Sequence, residues 1–127
     1  MAKRVLVIDD EEAIRKSFIL ALEDTGYQVD TAESGKKGLQ MAKKEKYDLV
    51  FLDLKMPGLN GVDTLRLLRD MNRHVPIYII TAFLGEFFDE LLGAQQDGIR
   101  FQVLEKPVSG EQILIATRGV LEQPMAY

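Results

Sequence analysis

Five short apolar runs rich in β-branched residues recur along the 127-residue chain, and segments with helical spacing separate them. The runs cover residues 4–8, 28–31, 49–52, 76–81 and 101–104, and each has the length of a strand. Between them apolar residues recur three or four positions apart, as in Ile14, Phe18 and Leu22. Strands that alternate with helices form a parallel sheet with helices on both faces. We therefore expect an α/β fold with five strands and five helices.

The length and composition indicate one domain over residues 1–127, with a core at about 3–121 and a C-terminal tail at 122–127. The chain has no cysteine, which excludes disulfides and zinc sites built on thiolates. Its formal net charge is -4, whereas proteins that bind nucleic-acid backbones use clustered basic residues. We therefore expect no direct nucleic-acid partner.

Apolar runs in this chain are too short for a membrane segment. The longest uninterrupted ones, residues 5–8 and 77–80, are far below the roughly 20 residues that span a bilayer. The basic residues at the start are followed by too few apolar residues for a signal peptide. We expect no membrane partner and a cytoplasmic location.

Polar residues stand at or just beyond the carboxyl ends of four predicted strands: Asp9, Asp10, Asp53, Thr81 and Lys106. Ligands bind to open parallel sheets at this edge, so we expect these side chains on one rim. Three crowded carboxylates repel one another unless a cation neutralises them, and hard oxygen ligands suit Mg²⁺. The pattern predicts a site for Mg²⁺ and a phosphoryl group.

Each of these residues also has a purely structural interpretation. Asp9 and Asp10 could only cap the first helix, because acids favour a helix N-terminus. Asp53 could be a structural charge, which would require a buried partner. Thr81 alone is an ordinary strand residue, and Lys106 alone is an ordinary surface cation. The combination of all five favours a functional site.

Four ordered motifs resemble the receiver domain of bacterial two-component response regulators. They are Val7-Ile8-Asp9-Asp10-Glu11, Phe51-Leu52-Asp53-Leu54-Lys55-Met56-Pro57-Gly58 with Gly61, Ile80-Thr81-Ala82, and Glu105-Lys106-Pro107. The resemblance extends over about residues 3–121. It implies a flavodoxin-like, doubly wound, five-stranded parallel sheet in the order 2-1-3-4-5.

The resemblance also implies how the phosphoryl group is accepted. Asp53 would take it from a histidine kinase or a phosphotransfer protein, in a reaction that depends on Mg²⁺. Asp10 would bind the metal directly and Asp9 mostly through a water. Asp53 and the backbone carbonyl of Lys55 would complete the protein's ligands.

Three further residues are assigned by the same resemblance. Thr81 would hydrogen-bond the bound phosphoryl group as the switch hydroxyl, helped by the Ala82 amide. Lys106 would pair with the phosphoryl oxygens, and Pro107 would follow a cis peptide bond.

As a receiver domain, the chain would be a signalling switch or relay, with a downstream protein or an output domain as its target, and not an enzyme. One alternative is a receiver-like interaction module that phosphorylation does not regulate. A flavin-binding redox domain or a small phosphatase on the same architecture is a third class, but residues 9–12 are all acidic where a flavin phosphate would bind. A homodimer through the fourth helix, fifth strand and fifth helix is a further option.

The chain departs from the family pattern in two places. The interval from Thr81 to Lys106 is longer than usual, with the surplus within residues 84–100. Val103 stands where the family carries its switch aromatic, and Phe101, on the same strand face, could replace that aromatic or belong to the core.

Two surfaces are also predicted from the family pattern. Ile14 and Phe18 share a face of the first helix, and we expect at least Ile14 to be exposed for docking of the kinase. Lys55 and Phe83 flank the approach to Asp53, and we expect them to slow hydrolysis of its phosphoryl group.

Overall fold

The computed structural model describes residues 2–122, and five strands alternate in it with five helices. The strands are β1 (Arg4–Ile8), β2 (Gln28–Ala32), β3 (Leu49–Asp53), β4 (Ile77–Thr81) and β5 (Gln102–Glu105). The helices are α1 (Glu12–Leu22), α2 (Gly35–Lys44), α3 (Gly61–Met71), α4 (Leu84–Gln96) and α5 (Gly110–Leu121). The predicted alternation is confirmed, and the strand ends differ from the prediction by one residue at most. Residues 123–127 of the expected tail lie outside the described residues.

All five strands run parallel in one sheet with the order β2-β1-β3-β4-β5. This is the predicted flavodoxin-like, doubly wound order. The register places Asp53 opposite Ile80 and Thr81 opposite Glu105. Because the carboxyl ends of β1, β3, β4 and β5 are adjacent, polar residues that end these strands share one rim.

The sheet separates two apolar cores, one on each face. Alternate residues of β3 divide between them, since Val50 and Leu52 pack in one core and Leu49 and Phe51 in the other. All five β3 residues are buried. Phe51 contacts Phe18 of α1 with ring centroids 4.8 Å apart. Burial on both faces explains why β3 is apolar until it reaches Asp53.

Local sequence signals define several of the helix ends. Gly26 follows α1 with a φ of 83°, a backbone conformation that favours glycine. Ser109 and Gln112 form the expected capping box at the start of α5. The long interval after Thr81 contains α4, which has 13 residues and is the longest helix in the described part of the chain.

The prediction of an exposed Ile14 is wrong. Ile14 is half-buried against the core, and Phe18 is 1% exposed. The large apolar side chains of α1 that are exposed to solvent are Ile19 and Leu20. The helix is rotated so that the pair at positions 14 and 18 faces the sheet, as an i, i+4 apolar pair on an amphipathic helix normally does.

Within residues 2–122, no helix is long and apolar enough to cross a membrane.

Candidate functional site

Three carboxylates meet at the carboxyl ends of β1 and β3. Asp9 is fully buried and Asp53 is 2% exposed, whereas Asp10 is exposed to solvent. One carboxylate oxygen from each residue lies within 4.8 Å of the others. The predicted convergence of Asp9, Asp10 and Asp53 is confirmed, and such a group of oxygens can hold a divalent cation.

Lys106 is the cation of the site. Its Nζ lies 2.8 Å from Asp9 Oδ2, 3.2 Å from Glu11 Oε1 and 3.6 Å from Asp53 Oδ1. The Lys106 backbone N–H donates to the carbonyl of Thr81 at 2.8 Å, and the following Lys106–Pro107 peptide bond is cis, as predicted. The side chain is largely buried, so its charge acts through a medium of reduced polarity.

Burial and crowding disfavour negative charge on Asp53. Desolvation raises the pKa of Asp53 from 3.8 to about 7, with further contributions from the charges of Asp9 and Asp10. Lys106 and the backbone of Lys55 lower the pKa, but they do not offset these effects. Without another cation, the carboxyl group of Asp53 therefore carries only part of a negative charge near neutral pH.

The pKa values of Asp9 and Lys106 are also shifted by burial and by nearby charges. Burial raises the pKa of Asp9, although its ion pair with Lys106 opposes the effect. Burial disfavours the charge of Lys106, but attraction to Asp9 and Asp53 dominates and raises its pKa. Lys106 thus stays protonated. Its single positive charge only partly neutralises the three carboxylates of Asp9, Asp10 and Asp53.

Asp9 is not simply the cap of α1. Its Oδ1 accepts a hydrogen bond from the Glu11 N–H at 2.9 Å, which fixes the turn between β1 and α1. Its Oδ2 is buried and, among the described residues, accepts no hydrogen bond, having only the ion pair with Lys106. The N-cap of α1 is Glu11, without a side-chain cap. The interpretation of Asp9 and Asp10 as caps alone therefore fails to account for their positions.

The hydroxyl and the amide expected at the end of β4 are both at the rim. Thr81 is fully buried, and its Oγ1 accepts a hydrogen bond from the Phe83 N–H at 2.9 Å. Ala82 follows it and is exposed. Thr81 thus has a hydroxyl proton available to donate while its oxygen is held by the backbone.

Lys55 and Phe83 contact each other at the edge of the site. The Lys55 Nζ lies 4.1 Å from the centroid of the Phe83 ring and 3.2 Å from Glu86 Oε2. The loop after β3 is thereby linked to the first turn of α4. This contact joins the two residues that were predicted to flank the approach to Asp53, and their effect on hydrolysis stays a prediction.

Three site contacts were not predicted from the sequence. Glu11 pairs with Lys106, and Arg15 donates to the carbonyl of Asp9 at 2.8 Å. Glu86 pairs with Lys55 across 31 positions of sequence. Glu11 and Arg15 closely follow Asp9 and Asp10 in the sequence, so their charges could have indicated that they contact the site. Glu86 is distant from Lys55 in the sequence, and no sequence feature indicated that the two would pair.

A doubly wound sheet with a buried aspartate, an adjacent acidic pair and a lysine at its strand ends is the arrangement of a response-regulator receiver domain. The chain belongs to that family, since the sequence model of the response regulator receiver domain matches residues 5–118. It is thus a signalling phosphoacceptor of the two-component type.

Curated relatives include the alkaline phosphatase synthesis transcriptional regulatory protein PhoP of Bacillus subtilis, which is 35% identical over 123 residues. That match covers 97% of this chain and 50% of PhoP. The response regulator ArlR of Staphylococcus saprophyticus is 34% identical over 120 residues, covering 94% of this chain and 53% of ArlR. The chain spans about half the length of these relatives.

Solved structures agree with this assignment. The chemotaxis protein CheY4 of Vibrio cholerae superposes with a TM-score of 0.82 at 28% identity, covering 95% of this chain and 100% of that one. A response regulator receiver domain protein from Clostridium thermocellum gives a TM-score of 0.80 at 32% identity, covering 95% of each chain.

Proposed function

We propose that Asp53 is the residue that accepts the phosphoryl group. The observation that carries the proposal is the placement of Asp53: it ends β3 at 2% exposure, with the ammonium of Lys106 3.6 Å away and two further carboxylates beside it. The Asp53 carboxylate needs no general base to act as a nucleophile once it is ionised.

We propose Mg²⁺ as the cofactor, with Asp10, Asp9, Asp53 and the backbone carbonyl of Lys55 as the protein's ligands. The fit rests on two observations: the buried Asp9 Oδ2 has no hydrogen bond beyond its ion pair with Lys106, and burial together with the neighbouring carboxylates raises the pKa of Asp53. A bound cation would stabilise the negative charge at both positions. Bound Mg²⁺ would withdraw charge from the phosphoryl oxygens during transfer. Oxygen-only donors and an open, solvent-facing Asp10 suit this hard, partly hydrated ion.

In the proposed reaction an ionised Asp53 oxygen attacks the phosphorus of a phosphohistidine. A P–O bond forms to Asp53 while the P–N bond breaks, and the histidine ring keeps the bonding electrons. The ammonium of Lys106 is placed to exchange part of its pairing with Asp9 for the new phosphoryl oxygens. Such transfer depends mainly on positioning and charge neutralisation, which these fixed groups provide.

Thr81 and Ala82 are proposed to report the phosphoryl group to the rest of the fold. The Thr81 hydroxyl would donate to a phosphoryl oxygen, and the exposed Ala82 lies beside it with its amide. Because Thr81 already accepts from the Phe83 N–H, a movement of Thr81 would disturb the start of α4. Through this hydrogen bond, phosphorylation of Asp53 would change the position of the first residues of α4.

We propose a histidine kinase or a phosphotransfer protein as the donor and an output domain or separate downstream protein as the target. The relatives carry a region beyond their matched half, which supports the second partner. The cytoplasmic location and a homodimer through α4, β5 and α5 stay predictions. Phe88 of α4 is 55% exposed and would lie in that interface.

The test is intact-mass measurement after incubation with a small acyl-phosphate donor and Mg²⁺. We expect the mass to rise by one phosphoryl group, and we expect no rise with a chelator or in Asp53→Asn. Asp89→Asn, which replaces an exposed aspartate of α4, is the matched control and should be labelled like the wild type. An unlabelled wild type, under conditions that label another receiver domain, would refute the proposal.

A further inference from the structure

A basic cavity lies at the end of the sheet opposite Asp53. It has a volume of about 840 Å³ and is bounded by the C-terminal part of α3, the start of β4 and residues 97–102. Its basic lining residues are Arg66, Arg69, Arg73, His74 and Arg100. Because it is formed by the amino ends of β4 and β5, it is separate from the phosphoacceptor rim.

Positive charge in this cavity exceeds negative charge. Four arginines face two aspartates, Asp70 and Asp97, in a chain whose formal net charge is -4. Arg66 is neutralised by Asp97, with 2.8 Å between Nη1 and Oδ2. Within residues 2–122, the guanidinium groups of Arg73 and Arg100 have no carboxylate oxygen within 4.0 Å. The unpaired positive charge of the cavity therefore includes both of these residues.

Arg69 also lines the cavity, and backbone hydrogen bonds hold its guanidinium in place. Its guanidinium donates to the carbonyls of Asn72 at 3.2 Å, Val75 at 2.7 Å and Arg100 at 2.6 Å. The half-buried side chain has no carboxylate partner in the described part of the chain. Burial, and then the charge of Arg100, lower its pKa. A partly desolvated guanidinium held rigidly without a counter-charge is costly, and a bound anion would stabilise it.

The cavity also offers apolar surface. Tyr78, Ile99 and Phe101 line it, and each is half-buried. Small-molecule sites typically have volumes of about 300–1,000 Å³ and combine apolar walls with a few fixed polar groups. The volume and the mixed lining suit a small ligand that carries both charge and a ring better than an extended polymer.

We propose that this cavity binds a small molecule with a diphosphate group, of the nucleoside diphosphate class. Arg73 and Arg100 would pair with the phosphate oxygens, while Arg69 supplies positive potential from its fixed position. The half-buried Phe101 would contact the attached ring system. The proposal does not depend on phosphorylation of Asp53.

The test is titration of the wild-type protein with inorganic pyrophosphate and, separately, with ADP, followed by amide chemical shifts without Mg²⁺. We expect a Kd of roughly 0.1–1 mM at low ionic strength, weakening as salt is added. Shift changes should map to residues 72–78 and 97–102. Binding of pyrophosphate and ADP with equal affinity would assign recognition to the diphosphate alone, and tighter ADP binding would add the ring contact.

Variants make the test specific. Arg73→Gln and Arg100→Gln should each weaken binding about tenfold, because each loses charge-assisted hydrogen bonds. Arg118→Gln, an exposed arginine of α5 outside the cavity, removes the same charge and should bind like the wild type. No binding at about 10 mM of either probe, shifts mapping to Lys106 instead, or equal loss in Arg118→Gln would overturn the proposal. Binding only of an oligonucleotide or an acidic peptide would also overturn it.

Discussion

Replacing Asp53 by asparagine should stabilise the metal-free protein. Asp53 is buried, and its pKa is raised from 3.8 to about 7, so the folded state disfavours the ionised carboxylate relative to the unfolded chain. Asparagine keeps nearly the same shape and removes the charge. The variant would thus lose the proposed phosphoacceptor while gaining stability.

The magnitude follows from the change in pKa. A rise from 3.8 to about 7 corresponds to about 4 kcal/mol of destabilisation of the wild type when Asp53 is ionised in both states. The asparagine amide introduces a buried donor that costs about 1–2 kcal/mol if it finds no acceptor. We therefore expect Asp53→Asn to be about 2–3 kcal/mol more stable at pH 8.

The same change in pKa also predicts how stability depends on pH. Between its unfolded and folded pKa values, the folded state binds more protons at Asp53, so the stability of the wild type falls as pH rises through this window. The advantage of Asp53→Asn should grow by about 1.4 kcal/mol per pH unit from pH 4 and level off above pH 7. Saturating Mg²⁺ should reduce the advantage, because the cation stabilises the charged wild type.

Urea unfolding of both proteins at pH 5 and pH 8, with and without Mg²⁺, measures these differences. Asp89→Asn, on the exposed side of α4, serves as the matched control and should change little at either pH. An Asp53→Asn variant less stable than the wild type at pH 8 without metal, or an advantage unchanged between the two pH values, would show that burial does not penalise this charge.

Two further variants test separate parts of the site. Asp10→Ala should weaken Mg²⁺ binding at least tenfold in a metal titration while raising metal-free stability less than Asp53→Asn does, since Asp10 is exposed; a clear loss of stability would indicate a structural cap instead. A Lys55→Asn, Phe83→Glu double variant should lose its phosphoryl group several-fold faster in a phosphate-release assay, because it removes the contact between the two residues that are expected to shield Asp53; an unchanged lifetime would contradict shielding.

Much of the fold could be predicted because it depends on local patterns. β3 is apolar at every position before Asp53, which indicates a strand buried on both faces. Gly26 and the Ser109–Gln112 box marked helix ends through backbone chemistry that involves few neighbours. The rim followed from topology, since parallel strands carry their end residues to one edge. The topology alone was therefore enough to predict that Asp9, Asp53 and Lys106 lie close together.

Other features depend on packing between distant elements. The rotation of α1, which buries Phe18 against Phe51, decides whether Ile14 faces solvent, and spacing alone does not give that rotation. The pairing of Lys55 with Glu86 depends on how α4 sits beside the β3 loop. The basic cavity likewise joins α3 to the segment before β5, two regions that carry no shared motif.

Chemical reduction can show directly whether Asp53 itself carries the phosphoryl group. Protein labelled with a small acyl-phosphate donor and Mg²⁺ can be reduced with borohydride, which converts an aspartyl phosphate into homoserine, and the altered residue can then be located by fragment mass. We expect homoserine at position 53 alone, dependent on Mg²⁺ and absent from Asp53→Asn. Homoserine at position 9 or 10 instead, or a stable phosphate on Thr81 that survives reduction, would contradict it.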